Sequence, residues 1–216
     1  MTTRTIHVVD DDDAVRDSIR MLLASRSNLL IRCYKSGRAF LEQVDDLESG
    51  VLLLDHHMPD VSGLEVLQAI DRERFLTIML TGHGTVGLAM DVIRAGGVDF
   101  LEKPYDPALL LKIVDAAFDK LEKRLADEER VAAARTKIER LSDRERSVLE
   151  CLIDGHSNKL IAHTLDISPR TVEIHRANLM GKLQVRSLSE ALRISFAAGL
   201  LAPHDRTLEE CHSSLR

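Results

Sequence analysis

The sequence predicts two domains of different class: a doubly wound α/β domain around a five-stranded parallel sheet, then a smaller all-α domain of four helices. Three observations carry this. Five short aliphatic stretches alternate with helical patterns across residues 5–124. Strand-like runs stop after residue 140, and helix-start signals recur at short intervals from there. The length of 216 residues suits one large domain or two small ones.

Taken in order, the strands are Thr5–Asp10, Leu29–Lys35, Gly50–Asp55, Leu76–Thr81 and Val98–Glu102. Helices are expected near 13–26, 37–46, 63–72, 84–95 and 106–124. Val15, Ile19, Leu22 and Leu23 repeat at the helical spacing, and Asp13 can cap that first helix. Strict alternation implies parallel strands with right-handed crossovers. Strand order 2-1-3-4-5 then makes strands 1 and 3 neighbours at the switch point, where such sheets bind ligands. From Asp106 to about Arg140 the chain reads as helix, with Pro107 at the first turn. Its stripe of Val114, Phe118, Leu121 and Leu125 fades into Glu128, Ala132 and Arg135, so residues 125–140 read as a solvated helical linker rather than a coiled coil. Beyond it, Ser142 and Glu145 form a capping box, Gly155 ends that helix, and Ser157 opens the next. Ser168-Pro169 starts a long helix to about Leu183, and Ser187 or Ser189 starts the last. The domains are therefore 1–124, the linker 125–140 and 141–202, with a frayed tail over 203–216.

Composition narrows the function. No apolar run reaches the roughly 20 residues that span a bilayer, and no apolar leader opens the chain, so a cytoplasmic protein without membrane contact is expected. Cys33, Cys151 and Cys211 fit neither a disulfide framework nor a zinc site; Cys33 and Cys151 read as small apolar packers. Residues 1–124 hold 15 Lys and Arg against 21 Asp and Glu, which argues against nucleic acid there. Residues 141–216 hold ten of each sign and leave the matter to local clustering.

Asp55 ends the aliphatic run Val51-Leu52-Leu53-Leu54, a strand buried on both faces, so its charge must emerge at the strand's C-terminal end. Asp10 and Asp11, Thr81 and Lys103 reach the same edge. Carboxylates in this number suit magnesium, which takes one or two of them with waters and phosphate oxygens. A carboxylate nucleophile forms an acyl phosphate, Lys103 can pair with a phosphoryl oxygen, and Thr81 can donate to another. Singly, each is an ordinary cap, turn or surface residue; the convergence of four points to a phosphate and magnesium site. His56 and His57, adjacent and expected to point to opposite sides, make a poor chelate, while His57 and His83 could flank the phosphoryl group.

Val8-Val9-Asp10-Asp11, Asp55-x-x-Met58-Pro59-Asp60-x-Ser62-Gly63, Thr81-Gly82-His83-Gly84 and Lys103-Pro104 resemble the receiver domain of two-component response regulators, a flavodoxin-like fold. The resemblance implies phosphorylation of Asp55 by a sensor histidine kinase. It also implies magnesium on Asp10, Asp11, Asp55 and the backbone carbonyl of His57. Thr81 and Phe100 would be switch residues, and Lys103 the phosphate partner. Asp12 and Asp13 are left to the helix start and surface, and Phe100 is equally readable as a core aromatic.

In the second domain, Val172, Leu179, Met180 and Leu183 form one apolar face of the helix after Pro169. Arg170, Arg176, Lys182 and Arg186 stand against Glu173 alone, a modest positive footprint that favours a dimer over a monomer on DNA. A solvated helix face or a protein-docking surface is the rival reading. Leu141-Ser142-x-Arg144-Glu145, Gly155-x-Ser157-Asn158-Lys159-x-Ile161-Ala162 and Ser168-Pro169-Arg170-Thr171-Val172-Glu173-x-His175-Arg176 resemble the LuxR-type helix-turn-helix, in its FixJ branch. That resemblance implies promoter DNA contacted by Lys159, Arg170, Thr171, Glu173, Ile174, Arg176, Ala177, Asn178 and Lys182. It further implies a homodimer formed on phosphorylation, with RNA polymerase as a further partner. No enzyme is expected beyond the receiver's own aspartyl phosphorylation and dephosphorylation. A nucleotide-using phosphotransferase is disfavoured because no Gly-rich phosphate loop occurs.

Overall fold

The structure, a computed structural model, describes residues 4–24, 26, 28–82 and 84–200. His83, Cys211 and the expected tail over 203–216 lie outside the described residues. The chain divides into two compact units in sequence between Arg124 and Leu125. Among the described residues no helix is long and apolar enough to cross a membrane.

The first unit is the predicted sheet. Strands β1 (Arg4–Val9), β2 (Leu29–Tyr34), β3 (Gly50–Asp55), β4 (Phe75–Thr81) and β5 (Asp99–Glu102) pair in parallel in the order β2-β1-β3-β4-β5. Alternation along each strand sends side chains to two cores. Val9, Leu52, Leu54 and Met79 meet Phe40, Val66, Leu67 and Val92 from α2 (Gly37–Leu41), α3 (Gly63–Ala69) and α4 (Val86–Arg94). Ile6, Val8, Val51, Leu53, Ile78 and Leu80 meet Ile19 and Leu23 of α1 (Asp13–Leu23) with Leu110, Val114 and Phe118 of α5 (Pro107–Glu139). The helix expected over 37–46 stops at Leu41 and resumes as a 3-10 turn at Val44–Asp46.

Three expectations are corrected. Asp12, not Asp13, caps α1: its carboxylate accepts from the Ala14 N–H, while Asp13 pairs with Arg16. Cys33 is exposed rather than packed, because β2 is the edge strand and only Tyr34 of its six residues is buried; Cys151 is buried as expected. His56 and His57 do not diverge. Strand geometry ends at Asp55, and their rings meet edge-on with centroids 4.5 Å apart.

Thr77 is fully buried on β4, and its hydroxyl has no partner among the described residues. A buried hydroxyl without a partner costs about 1–3 kcal/mol. Thr77→Val, which keeps the shape, should therefore stabilise the first unit by about 1 kcal/mol. Urea unfolding should show a higher midpoint with unchanged slope; a lower midpoint would mean that the hydroxyl is satisfied.

The second unit is helical: α6 (Asp143–Ile153), α7 (Asn158–Thr164), α8 (Pro169–Leu183) and α9 (Leu188–Ala197). Ser142, Ser157, Ser168 and Ser187 cap them in turn, and Gly155 takes φ +77° after α6. Val148, Leu149, Ile161, Val172, Leu179, Leu183 and Ala191 fill the core. Four residues separate α7 from α8, with Asp166 at φ +52°, a left-handed position that Asp tolerates better than most residues.

Candidate functional site

The register puts the chemistry on one edge. Val9 pairs with Leu54, Asp55 with Leu80, and Thr81 with Glu102, so the polar residues that end or follow β1, β3, β4 and β5 come together. Asp10 and Asp55 are 1% and 5% exposed, Thr81 is fully buried, and Asp11 is exposed. Lys103 Nζ donates to Asp10 Oδ2 at 2.7 Å and to Asp55 Oδ1 at 2.6 Å. Its backbone N–H donates to the Thr81 carbonyl at 2.7 Å, which ties the start of the lysine, just after β5, to the end of β4. Asp10 Oδ1 accepts from the Asp12 N–H at 2.9 Å.

Burial pushes the Asp10 carboxyl above the usual carboxylate range, against the hydrogen bond from Lys103. Burial would lower Lys103, but its bonds to the two carboxylates prevail and hold the ammonium above its ordinary value. Lys103 is thus bonded to two of the three acids at this edge. Asp10, Asp11 and Asp55 can each bring an oxygen within 4.8 Å of the others. The set fits a hard divalent cation: every donor is oxygen, two are held in place by burial, and the exposed third leaves room for water.

Sequence reasoning missed several supports. Gly63 starts α3 against the site: a Cβ there would lie 2.2 Å from the Asp55 carbonyl oxygen and 2.9 Å from Met79 Sδ, so only glycine allows the approach. Arg16 Nη1 donates to the Asp10 carbonyl at 2.5 Å, a tie that α1's i+4 pattern did not reveal. Glu102 accepts from the Gly84 N–H at 3.1 Å, which ties the loop after β4 to the end of β5. Phe100 is 36% exposed on β5, an edge strand of the sheet, and is not among the buried core residues. His57 is exposed, two residues past Asp55.

In the second unit, α8 carries a half-exposed strip. Arg170, Glu173, Ile174, Ala177 and Asn178 are exposed, and Lys159 is exposed on α7. Arg170 pairs with Glu173 at 3.5 Å. Thr171 is half-buried, its N–H donating to the Ser168 hydroxyl at 3.0 Å. Two expected DNA contacts also hold internal bonds that spacing could not show. Arg176 Nη1 donates to Asn158 Oδ1, and Lys182 Nζ donates at 2.6 Å to Glu145, a 4%-exposed carboxylate of the α6 capping box. Burial would raise Glu145, but the bonds from Lys182 and Ser142 hold it below its ordinary range.

Residues 6–115 match the family described as response regulator receiver domain, and residues 139–195 match bacterial regulatory proteins, luxR family. The chain belongs to the luxR-type response regulators. The transcriptional regulatory protein FixJ of Rhizobium meliloti strain 1021 is 39% identical to it over 201 residues, 92% of this chain and 98% of that protein. Among solved structures, response regulator StyR is 32% identical with a TM-score of 0.79, covering 90% of this chain and 99% of that one. Full-length FixJ from B. japonicum is 40% identical with a TM-score of 0.56, covering 93% and 100%. The edge built from Asp10, Asp55, Thr81 and Lys103 thus lies in the receiver domain, and α7 and α8 lie within the luxR-family span.

Proposed function

We propose that the chain is a phosphorylation-dependent transcriptional regulator. Asp55 accepts a phosphoryl group from a sensor histidine kinase, two copies pair, and the helix-turn-helix units bind promoter DNA, with RNA polymerase as a later partner. The single observation that carries this is the Lys103 ammonium held between Asp10 and Asp55 beside exposed Asp11, in a chain that also has a luxR-family unit. An Asp55 oxygen attacks phosphorus, a P–O bond forms, and the P–N bond to the kinase imidazole breaks, leaving the imidazole to take a proton. Magnesium on Asp10, Asp11, Asp55 and the His57 carbonyl would neutralise charge on the phosphoryl oxygens.

The chain's own residues do the rest. Asp10 and Lys103 hold Asp55 in place before reaction, and Lys103 then pairs with a phosphoryl oxygen. Thr81, at the end of β4, donates its hydroxyl to another. Phe100 turns inward from its exposed position, and the changed α4–β5 surface favours the dimer. Two copies of α8 then enter the major groove about one helical turn apart, Arg170, Thr171, Glu173, Ile174, Ala177 and Asn178 over the bases, with Lys159, Arg176 and Lys182 nearer the phosphates. Lys182 has one of its three donors committed to Glu145.

The test is the wild-type chain on promoter fragments, with and without acetyl phosphate and magnesium. Phosphorylated protein should bind tighter and as a dimer, with affinity falling steeply as salt rises. Binding that ignores both phosphodonor and salt would favour the rival in which the helical unit docks on a protein.

A further inference from the structure

We propose that Asn158 is a positioning residue for DNA binding: it holds Arg176 at the seam between α7 and α8, so that the guanidinium meets a backbone phosphate rather than a base. The proposal rests on the DNA-binding reading above and assigns a role within it.

The local geometry leaves Asn158 no capping duty. Ser157 caps α7, its hydroxyl accepting from the Leu160 N–H. Asn158 instead gives its side-chain oxygen to Arg176, 18 residues further on. Arg176 sits on the flank of α8. Val172, four residues before it, and Leu179, three after, are fully buried, whereas Glu173 and Ala177 are exposed. Its bond to Asn158 draws the guanidinium towards α7 and away from the strip of Ile174, Ala177 and Asn178. A side chain on that strip faces base edges when α8 lies in the major groove; one drawn to the neighbouring helix faces the strand that bounds the groove.

The charges point the same way. Arg170 is paired with Glu173 and Lys182 with Glu145, but among the described residues no carboxylate lies within ion-pair distance of Arg176. A neutral amide orients the guanidinium through one of its five donors and leaves the positive charge whole. An aspartate at 158 would orient it equally well and cancel it.

The experiment uses the full chain with acetyl phosphate, a duplex selected by the wild type from a random-sequence pool, and a scrambled duplex of equal length. Failure of the wild type to select any duplex would sink the DNA-binding reading itself. Given selection, Asn158→Ala should weaken binding to both duplexes alike, about 3–10-fold. It should have little further effect in an Arg176→Ala background. Asn158→Asp, which keeps the bond, should lower the slope of log affinity against log salt by about one for each copy bound, as should Arg176→Ala. Helical circular dichroism checks each variant, and Asn158→Asp decides the matter if Asn158→Ala unfolds. Additive losses in the double variant, unchanged salt slopes, or a loss confined to the selected duplex would each overturn the proposal, the last by making Arg176 a base reader.

Discussion

Asp55→Asn should abolish phosphoryl uptake from acetyl phosphate while the first unit stays folded. The side chain sits at the end of a fully buried strand, with one oxygen 2.6 Å from Lys103 Nζ. Asparagine has nearly the same shape, and its carbonyl oxygen can still accept from that ammonium. What it lacks is an anionic oxygen able to attack phosphorus. Incubation with acetyl phosphate and magnesium, followed by intact mass, should show one added phosphoryl group on the wild type and none on the variant. Asp11→Asn makes the contrast: the nucleophile and Lys103 remain, and only an exposed member of the acidic cluster is lost. Its uptake should persist but need a higher magnesium concentration, by on the order of tenfold. Uptake by Asp55→Asn at the wild-type rate would place the acceptor elsewhere; equal magnesium demand in Asp11→Asn would remove Asp11 from the metal set.

The residues behind that prediction were legible for a physical reason. Asp55 and Thr81 terminate strands buried along their whole length, so the sequence shows an apolar run and then a polar residue. Alternation suits the order that the sheet has, and the meeting of Asp10, Asp55 and Lys103 follows from that order. Legibility fails where position depends on a neighbour. Cys33 looks apolar enough for a core, but β2 has a partner on one side only, so most of its side chains meet solvent. His56 and His57 escape the strand rule because the strand has ended. Gly63 reads as a helix start, yet its need is the Asp55 carbonyl beneath it. The ties of Arg176 to Asn158 and of Lys182 to Glu145 span 18 and 37 residues and join separate helices, so no local period announces them.

Lys182 shows what such a tie does to a functional reading. From the sequence it is one more cation on a DNA-facing helix; in the fold it is the partner of Glu145. Lys182→Ala leaves that carboxylate buried with only the capping-box bonds. Removing one partner of a fully buried pair costs about 3–5 kcal/mol. The Lys182 side chain is 42% exposed, so water relieves part of this, and about 1–3 kcal/mol is expected. Amide hydrogen exchange in the full chain should report it as faster opening of α6 and α8, with α1 and β3 unchanged. The effect has a pH signature. Glu145 titrates below its ordinary value near 4.5 in the fold, so the tie stabilises the unit fully above that value and is lost as pH falls through the folded one. Wild type and variant should therefore converge in acid. Glu145→Gln should cost less at neutral pH, since an amide tolerates burial without a cation. DNA affinity then separates the two roles of Lys182. If binding by Lys182→Ala falls no further than its opening accounts for, the lysine serves the fold. If binding falls while exchange in α6 and α8 is unchanged, the tie to Glu145 is incidental and Lys182 acts on DNA.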